Sequence, residues 1–133
     1  MKVIDTTVIA AYILKEPGWE KLSELLARAA TVDMAIKEVL NAVWKTYARG
    51  RIGEESARAK AKALLELAES GLEIVDERKL FKRSFEIACS ENLSVYDALF
   101  LSLAETRDAV LYTLDEEQAE KARKLAIRVK VVE

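Results

Sequence analysis

The segment Lys2-Val3-Ile4-Asp5-Thr6-Thr7 is the starting point of the predicted fold. Lys2–Ile4 is an apolar run that is too short for a helix, and a longer apolar run, Val8–Leu14, follows it. We interpret this pattern as a buried strand, a carboxylate and then a buried helix. In a parallel α/β sheet, ligands bind beyond the carboxyl ends of the strands. Asp5 is predicted to lie at such an end. Other acidic residues are therefore candidates for the same site if they reach the same edge of the sheet.

The rest of the chain alternates between runs typical of helices and runs typical of strands. Further strands are predicted at residues 31–35, 72–75, 109–112 and 127–132, and helices are predicted at residues 19–29, 36–49, 54–70, 77–91, 94–106 and 116–125. Strands that alternate with helices predict a three-layer α/β/α sandwich with a central parallel sheet. Residues 1–133 are expected to form a single domain.

Helical spacing predicts which side chains the helices bury. Gly71 and Asn92 are expected to end two of the helices in a left-handed conformation. Cys89, the only cysteine, is expected to act as a buried small hydrophobe. The predicted buried faces include Trp19, Leu22, Leu25, Leu26 and Ala29; Val39, Leu40, Val43, Trp44 and Tyr47; Ala57, Ala61, Leu64, Leu65 and Ala68; and Leu80, Phe81, Phe85 and Ala88.

The composition excludes several classes of protein. With 51% hydrophobic and 33% charged residues, the chain is globular rather than disordered. It contains no histidine, which removes Ser-His-Asp triads, histidine zinc sites and histidine general bases. The net charge of -2 argues against strong non-specific binding of nucleic acid. No apolar run approaches the roughly 20 residues of a membrane span, so we expect a cytoplasmic protein.

Four acidic residues stand beside small hydrogen-bonding residues, at element boundaries or on a polar helix face. Asp5 and Asp115 follow apolar strand runs and Asp97 starts a helix, so these three are predicted to lie along one edge of the sheet. Glu38 is predicted to reach the same edge from its helix. The pairs are Asp5 with Thr7, Glu38 with Asn41, Asp97 with Ser94, and Asp115 with Thr113.

Grouped carboxylates repel one another and stay partly protonated unless a cation joins them. Mg²⁺ and Mn²⁺ prefer carboxylate and water oxygens, and such ions activate water and neutralise charge on a phosphoryl group. Thr7, Asn41 and Thr113 are then predicted to orient the acids by hydrogen bonding. This chemistry is open to a chain without histidine.

Each acid also has a purely structural explanation. Asp97 fits the third position of a capping box that Ser94 opens. Asp115 fits a helix N-cap paired with Gln118, and Glu38 fits a solvated helix face. For Asp5 the best such alternative is a cap on the following helix, although a carboxylate that ends a central strand is costly to bury without a partner.

Basic and aromatic residues near the acids can also be interpreted in two ways, as structural or as functional. Lys37, Lys45, Arg49 and Arg51 form either a solvated helix face or a guide for phosphates. Tyr96 fits a core or rim aromatic, or a stacking surface for a base.

Taken in order, these motifs resemble the PIN-domain ribonucleases, specifically the VapC-like toxins of type II toxin–antitoxin pairs. The resemblance covers essentially the whole chain. The acidic quartet of that family corresponds to Asp5, Glu38, Asp97 and Asp115, and its supporting hydroxyl and amide groups correspond to Thr7, Thr113 and Asn41. The motifs are Val3-Ile4-Asp5-Thr6-Thr7, Glu38-Val39-Leu40-Asn41, Val95-Tyr96-Asp97-Ala98 and Leu111-Tyr112-Thr113-Leu114-Asp115.

The resemblance implies a Mg²⁺- or Mn²⁺-dependent endoribonuclease that hydrolyses RNA phosphodiester bonds with this quartet. It also implies a homodimer, and an antitoxin protein whose tail enters the acidic groove. Many members of the family carry a further acid or an aromatic residue just after the last acid. Glu116-Glu117-Gln118 stands there in this chain, which leaves the number of metal ions open.

Three other functions were compared with this one. An aspartyl phosphatase of the haloacid-dehalogenase kind needs a second acid two residues after the first, where this chain has Thr7. A signalling receiver domain needs adjacent acids near the first strand, and these are not evident. A non-catalytic PIN-like module that binds RNA or protein is the remaining alternative.

Overall fold

The structure, a computed structural model, describes residues 1–133. The strands are β1 (Lys2–Ile4), β2 (Ala30–Val32), β3 (Glu73–Val75), β4 (Val110–Thr113) and β5 (Val129–Val131). The α-helices are α1 (Thr6–Ile13), α2 (Leu22–Leu26), α3 (Asp33–Ala48), α4 (Glu54–Glu66), α5 (Phe81–Glu91), α6 (Val95–Arg107) and α7 (Glu116–Lys124). Two 3₁₀ turns, Trp19–Lys21 and Glu77–Leu80, precede α2 and α5, and a π turn, Leu67–Gly71, follows α4.

The five strands form one parallel sheet in the order β3-β2-β1-β4-β5. From β1 the chain builds the sheet outward through β2 to β3, then crosses back to β4 on the other side of β1 and continues to β5. The direction of winding therefore reverses between β1 and β4. In an open α/β sheet, the crevice at such a switch point is where ligands bind. The predicted parallel α/β sandwich is confirmed.

Helices cover both faces of the sheet. On one face, α1 packs against α2, α3 and α4, and on the other α6 contacts β1, β2 and β4 while α5 packs on α6. Val3 and Ile4 of β1 are completely buried, as expected for a central parallel strand covered on both sides. One cluster of 29 buried apolar residues joins the layers. None of the helices has the length and apolar character needed to cross a membrane.

Two predicted helices have different boundaries in the structure. The predicted helix at residues 19–29 is a 3₁₀ turn followed by the short helix α2, because the chain turns at Arg28, whose φ is 59°, before β2 begins. Helix α3 starts at Asp33, three residues before the predicted start. Asp33 lies in its first turn and pairs with Lys37 at 3.0 Å, which suits the positive end of the helix dipole.

The prediction that Gly71 adopts a left-handed conformation is wrong. Its φ is not positive; the helix ends instead in a π turn, in which the N–H of Leu72 donates to the carbonyl of Leu67 at 2.9 Å. A Cβ on Gly71 would lie 2.7 Å from Cδ1 of Leu67, the flexible end of a side chain that would have to shift. The left-handed stop at Asn92 is confirmed, with φ of 54°.

The buried face of α5 is rotated relative to the prediction. Leu80, Ser84 and Ile87 point inward, and this leaves Phe81 and Phe85 exposed by 52% and 62%. Cys89 continues this outer stripe and is exposed, so its predicted burial is also wrong. The error arose because single-helix periodicity did not distinguish two adjacent apolar stripes, and packing against α6 selected the one containing the smaller Ser84.

Helices α3 and α4 also leave part of their predicted apolar faces outside the core. Val39, Val43 and Leu64 are buried, whereas Trp44, Tyr47 and Leu65 are exposed. Trp44 and Tyr47 line a shallow cleft of about 250 Å³ between the two helices. These helices form an outer hairpin, so each has one face that meets no further layer.

Candidate metal centre

Asp5 and Asp115 lie on either side of the switch point of the sheet. Asp5 directly follows β1, and Asp115 follows β4 after one intervening residue. The two strands pair in parallel, with Ile4 opposite Tyr112, and the N–H of Asp5 donates to the carbonyl of Tyr112 at 3.4 Å. The fold thus brings together two acids that are far apart in sequence.

Two threonine hydroxyls hold the carboxylate of Asp5, which is only 4% exposed. Thr7 Oγ1 donates to Oδ1 of Asp5 at 2.5 Å, and Thr113 Oγ1 donates to Oδ2 at 2.5 Å. The same hydroxyls accept from backbone N–H groups: Thr7 from Leu114 at 2.9 Å, and Thr113 from Asp115 at 3.0 Å. Each hydroxyl oxygen thus accepts an N–H while its own proton is donated to Asp5. Both oxygens of the carboxyl group therefore have a hydroxyl donor.

Burial and hydrogen bonding act in opposite directions on Asp5. Burial raises the pKa of this carboxyl above its ordinary value, and the hydrogen bonds from Thr113, Thr7 and the backbone pull it part of the way back. One of these bonds, from the N–H of Thr7 at 3.1 Å, makes Asp5 the N-cap of α1. No positively charged side chain is among the groups that offset the burial of Asp5.

Asp97 and Asp115 line one cleft of about 140 Å³ between the start of α6 and the start of α7. Ser94 caps α6 by accepting from the N–H of Asp97 at 3.1 Å, and Asp115 caps α7 by accepting from the N–H of Glu117 at 3.0 Å. Asp115 is thus the N-cap of α7, as the sequence suggested, and Ser94 is the N-cap of α6 with Asp97 in the first turn. Capping nevertheless leaves carboxylate oxygens facing the cleft, so it does not remove a further role for either acid.

The acids of the cleft repel one another. Partial burial raises the pKa of Asp97, a hydrogen bond from Ser94 lowers it, and the negative charges of Asp115 and Glu117 raise it further. None of the ion pairs in the structure involves any of these acids, Asp5 or Glu38. A group of carboxylates without ion-pair partners is a place where a cation gains free energy.

Glu38 lies on the exposed face of α3 and is joined to the end of β1 through one hydrogen bond. Thr6 Oγ1, next to Asp5, donates to Oε1 of Glu38 at 2.5 Å. Asn41, predicted to support the acids, is exposed and makes no side-chain hydrogen bond to any of them. Thr7 and Thr113 are thus hydrogen-bonded to Asp5, whereas Asn41 is not hydrogen-bonded to any of the four acids.

Sequence reasoning missed three residues of the site. Thr6 was noted only as a neighbour of Asp5, but it is the residue that holds Glu38. Glu117 lines the cleft as an additional acid. Gln118 does not pair with Asp115: it is 6% exposed and donates from Nε2 to the backbone carbonyl of Asp97 at 3.0 Å. The signal available in the sequence was the helical position of Glu117 and Gln118, two and three residues after Asp115.

The donor set fits a hard divalent cation. All candidate donors are oxygens, the carboxylates lack ion-pair partners, and burial together with the charges of Asp115 and Glu117 raises the pKa of Asp97. No group of three or more acidic side chains is already arranged to hold an ion. Mg²⁺ usually keeps several waters and takes one or two protein carboxylates, so a complete cage is not required.

Fold and site together define a parallel α/β sandwich with an acidic, oxygen-donor centre at its switch point. The family model described as "PIN domain" matches residues 2–124, and the chain belongs to this family. It is 33% identical over 122 residues to Ribonuclease VapC3 of Pyrobaculum aerophilum, covering 90% of this chain and 92% of that protein. It is also 27% identical to Exonuclease VapC9 of the same organism, covering 91% and 85%. The resemblance stated from the sequence is confirmed.

Solved structures agree on the fold. The crystal structure of PAE2754 from Pyrobaculum aerophilum superposes with a TM-score of 0.70 at 24% identity, covering 90% of this chain and 83% of that one. VapBC2 from Rickettsia felis, bound to a DNA fragment from its promoter, gives a TM-score of 0.65 at 19% identity, covering 97% and 96%. At these identities the likeness concerns architecture alone.

Proposed function

We propose that this chain is a metal-dependent endoribonuclease, a VapC-like toxin, that hydrolyses RNA phosphodiester bonds. The observation that carries the proposal is the acidic centre: Asp5 and Asp115 flank the switch point, and Gln118 ties the Asp97 segment to α7. No basic side chain pairs with these acids, so the centre suits a cation. The relatives named Ribonuclease VapC3 and Exonuclease VapC9 support a nuclease.

Asp5, Glu38, Asp97 and Asp115 are proposed to hold Mg²⁺ or Mn²⁺, with Glu117 available as a further acid. When bound, such an ion neutralises charge on the phosphoryl group and lowers the pKa of a bound water. Thr7 and Thr113 donate to both oxygens of Asp5 and fix the orientation of its carboxyl group. Thr6 fixes the position of Glu38, and Gln118 fixes the distance between the first turns of α6 and α7. These contacts orient the side chains of Asp5 and Glu38 and hold the starts of α6 and α7 together, and a bound ion would draw the acids into a complete site.

Cleavage of RNA tests the proposal. Linear and circular single-stranded RNA are incubated with the protein in Mg²⁺, Mn²⁺ or EDTA, and the products are separated on a gel. We expect cleavage of both substrates that needs the metal, and a loss of about 100-fold or more in Asp5→Asn. Glu120→Gln, an exposed acid on α7 outside the cleft, is the matched control and should keep full activity.

Each negative result has a defined meaning. Equal cleavage by the wild type and Asp5→Asn would contradict the assignment of the acids. Cleavage of linear but not circular RNA would show that the protein is an exonuclease and not an endonuclease. RNA binding without Mn²⁺ binding in calorimetry would favour the non-catalytic module.

An antitoxin and a second copy of the chain belong to the same proposal. A VapBC2 complex is among the similar folds, which supports an antitoxin partner whose tail enters the acidic groove. Phe81 and Phe85 form an exposed apolar stripe on α5, which supports a homodimer that covers it. A cytoplasmic location is part of the proposal, because the RNA and the antitoxin are met there.

A further inference from the structure

One basic residue, Lys121, lines the acidic cleft between α6 and α7. The other charged residues that line the cleft are Asp97, Asp115 and Glu117. Lys121 is half-buried and lies near the end of α7, one helical turn after Glu117. An ammonium group at the margin of an acidic cleft is expected to form an ion pair with one of the carboxylates.

Lys121 has no carboxylate partner in the structure, although three are close by. Its spacing from Glu117 is the one at which helical ion pairs form, yet the two make no ion pair. Two residues further along α7, Arg123 does pair, with Glu116 at 3.2 Å. The amino group is therefore free to meet an anion from outside.

We propose that Lys121 binds a backbone phosphate of the RNA beside the phosphodiester bond that is hydrolysed. This inference rests on the proposed nuclease function and goes beyond it by naming a substrate contact. A lysine is a compact point charge that binds phosphate oxygens without reading the base. The contact matters because the chain carries a net charge of -2 and its acidic cleft repels RNA.

A simpler explanation is that Lys121 only stabilises the carboxyl end of α7, where the helix dipole favours positive charge. Lys124 shares that position: it lies in the last turn of α7, is exposed and makes no ion pair, but it does not line the cleft. Lys124→Gln is therefore a matched control for Lys121→Gln. Lys121→Arg keeps the charge and serves as the rescue variant.

The test measures the binding of fluorescently labelled single-stranded RNA by anisotropy, with Ca²⁺ in place of Mg²⁺, over 50–200 mM salt. We expect Lys121→Gln to bind about three- to tenfold more weakly, and by the same factor for RNAs of different sequence. The slope of log K against log salt should fall by about 0.7, the value for one phosphate contact on a single strand. Lys124→Gln and Lys121→Arg should behave as the wild type does.

The outcomes separate this inference from the proposed function. A wild-type protein that binds no RNA overturns both. If the wild type binds RNA and Lys121→Gln matches Lys124→Gln in affinity and slope, only the role of Lys121 is overturned. Calorimetry with Mn²⁺ gives a second readout: Lys121→Gln should bind Mn²⁺ as well as the wild type or better, since a positive charge has been removed. Weaker Mn²⁺ binding would mean that Lys121 positions the acids, which contradicts a contact with phosphate.

Discussion

The hydroxyls of Thr7 and Thr113 set the orientation of the Asp5 carboxyl group. Each hydroxyl donates to one oxygen of Asp5, while its own oxygen accepts a backbone N–H. Burial raises the pKa of Asp5 by favouring the neutral form, and it outweighs the donated hydrogen bonds, which favour the ionised form. A nearby cation would favour the ionised form without changing any of these hydrogen bonds.

Asp97→Asn is expected to stabilise the metal-free protein at neutral pH. The pKa of Asp97 is raised in the folded state, so the proton is bound more tightly there than in the unfolded chain. Stability from this group is present below its unfolded pKa of 3.8 and is lost as the pH rises through the folded value. An asparagine does not ionise, so this loss is absent in the variant. Its free energy of unfolding should be higher by up to about 1 kcal/mol, a value that solvent screening limits. Thermal unfolding in EDTA between pH 3 and pH 7 should show a gain that grows with pH.

The control for Asp97→Asn is Asp33→Asn, in the first turn of α3. Asp33 is exposed and pairs with Lys37 at 3.0 Å, so its substitution removes a favourable contact and should give no gain in stability. With saturating Mn²⁺ the wild type should become more stable than Asp97→Asn. At a Mn²⁺ concentration 100 times the dissociation constant, binding adds about 2.7 kcal/mol to the stability of the wild type. A loss of stability in metal-free Asp97→Asn would show that the cleft does not repel the charge.

Thr113→Val is expected to weaken both folding and metal binding. The change keeps the shape of a fully buried side chain but removes a donor to Asp5 and an acceptor for the N–H of Asp115. A cost of about 1–3 kcal/mol follows from leaving buried polar groups unpaired. Thr31→Val is the matched control, since Thr31 is equally buried and donates to the carbonyl of Ile4 at 2.9 Å. Denaturant unfolding should show a loss in both variants, and calorimetry should show weaker Mn²⁺ binding only in Thr113→Val.

The helices contribute their amino-terminal ends to the centre. Asp5 and Asp115 are the N-caps of α1 and α7, and Asp97 lies in the first turn of α6. The free N–H groups and the positive end of each dipole favour negative charge there. This explains how one residue serves both as a cap and as part of an anionic cleft: the helix end holds one face of the carboxylate and leaves the other open.

Gln118→Leu is expected to loosen α7 from α6. Gln118 is buried, and its donation to the carbonyl of Asp97 is the side-chain hydrogen bond that ties the two helix starts together. Leucine fills similar space without the donor, so the stability loss should be modest, about 0.5–1.5 kcal/mol. Because the separation of Asp97 and Asp115 is then less fixed, Mn²⁺ affinity and RNA cleavage should fall by about tenfold. Cleavage equal to that of the wild type would show that Gln118 has only a packing role.

The topology of the sheet assembles residues that no local pattern connects. The order β3-β2-β1-β4-β5 puts β1 next to β4, whose residues follow more than a hundred positions later. Thr7 and Thr113 meet across this pair and lie 3.4 Å apart. The acidic centre therefore exists only when the crossover from β3 through α5 and α6 to β4 is complete.

Phe85→Glu is expected to convert a homodimer into a monomer. Phe85 is 62% exposed and extends the apolar stripe that Phe81 begins on α5. A charge placed in a buried apolar interface is strongly unfavourable. Light scattering with size-exclusion chromatography should show a dimer for the wild type and a monomer for the variant. Leu65→Glu, at a 50% exposed apolar position on α4, is the control and should remain dimeric. A wild type that is monomeric at high concentration would contradict the proposed dimer.

Local pattern predicted much of this molecule because the relevant forces act over a few residues. The cap at Ser94, the stop at Asn92 and the strand at Lys2–Ile4 follow from side-chain hydrogen bonding, backbone sterics and apolar periodicity. The same reasoning failed for Phe81 and Phe85, since two apolar stripes on α5 were equally plausible from spacing alone. It also failed for Gly71, which ends the helix in a π turn without a positive φ.

The amino-acid sequence was enough to establish the alternating parallel architecture and the candidate acids, because burial periodicity and residue chemistry are properties of the chain itself. Only the folded chain showed that Asp97 and Asp115 share a cleft and that Lys121 lines it without an ion-pair partner. It also showed that Thr6, and not Asn41, is hydrogen-bonded to Glu38. The physical reason is that electrostatic and hydrogen-bonding partners are chosen by distance in space, and strand order, not sequence spacing, sets those distances.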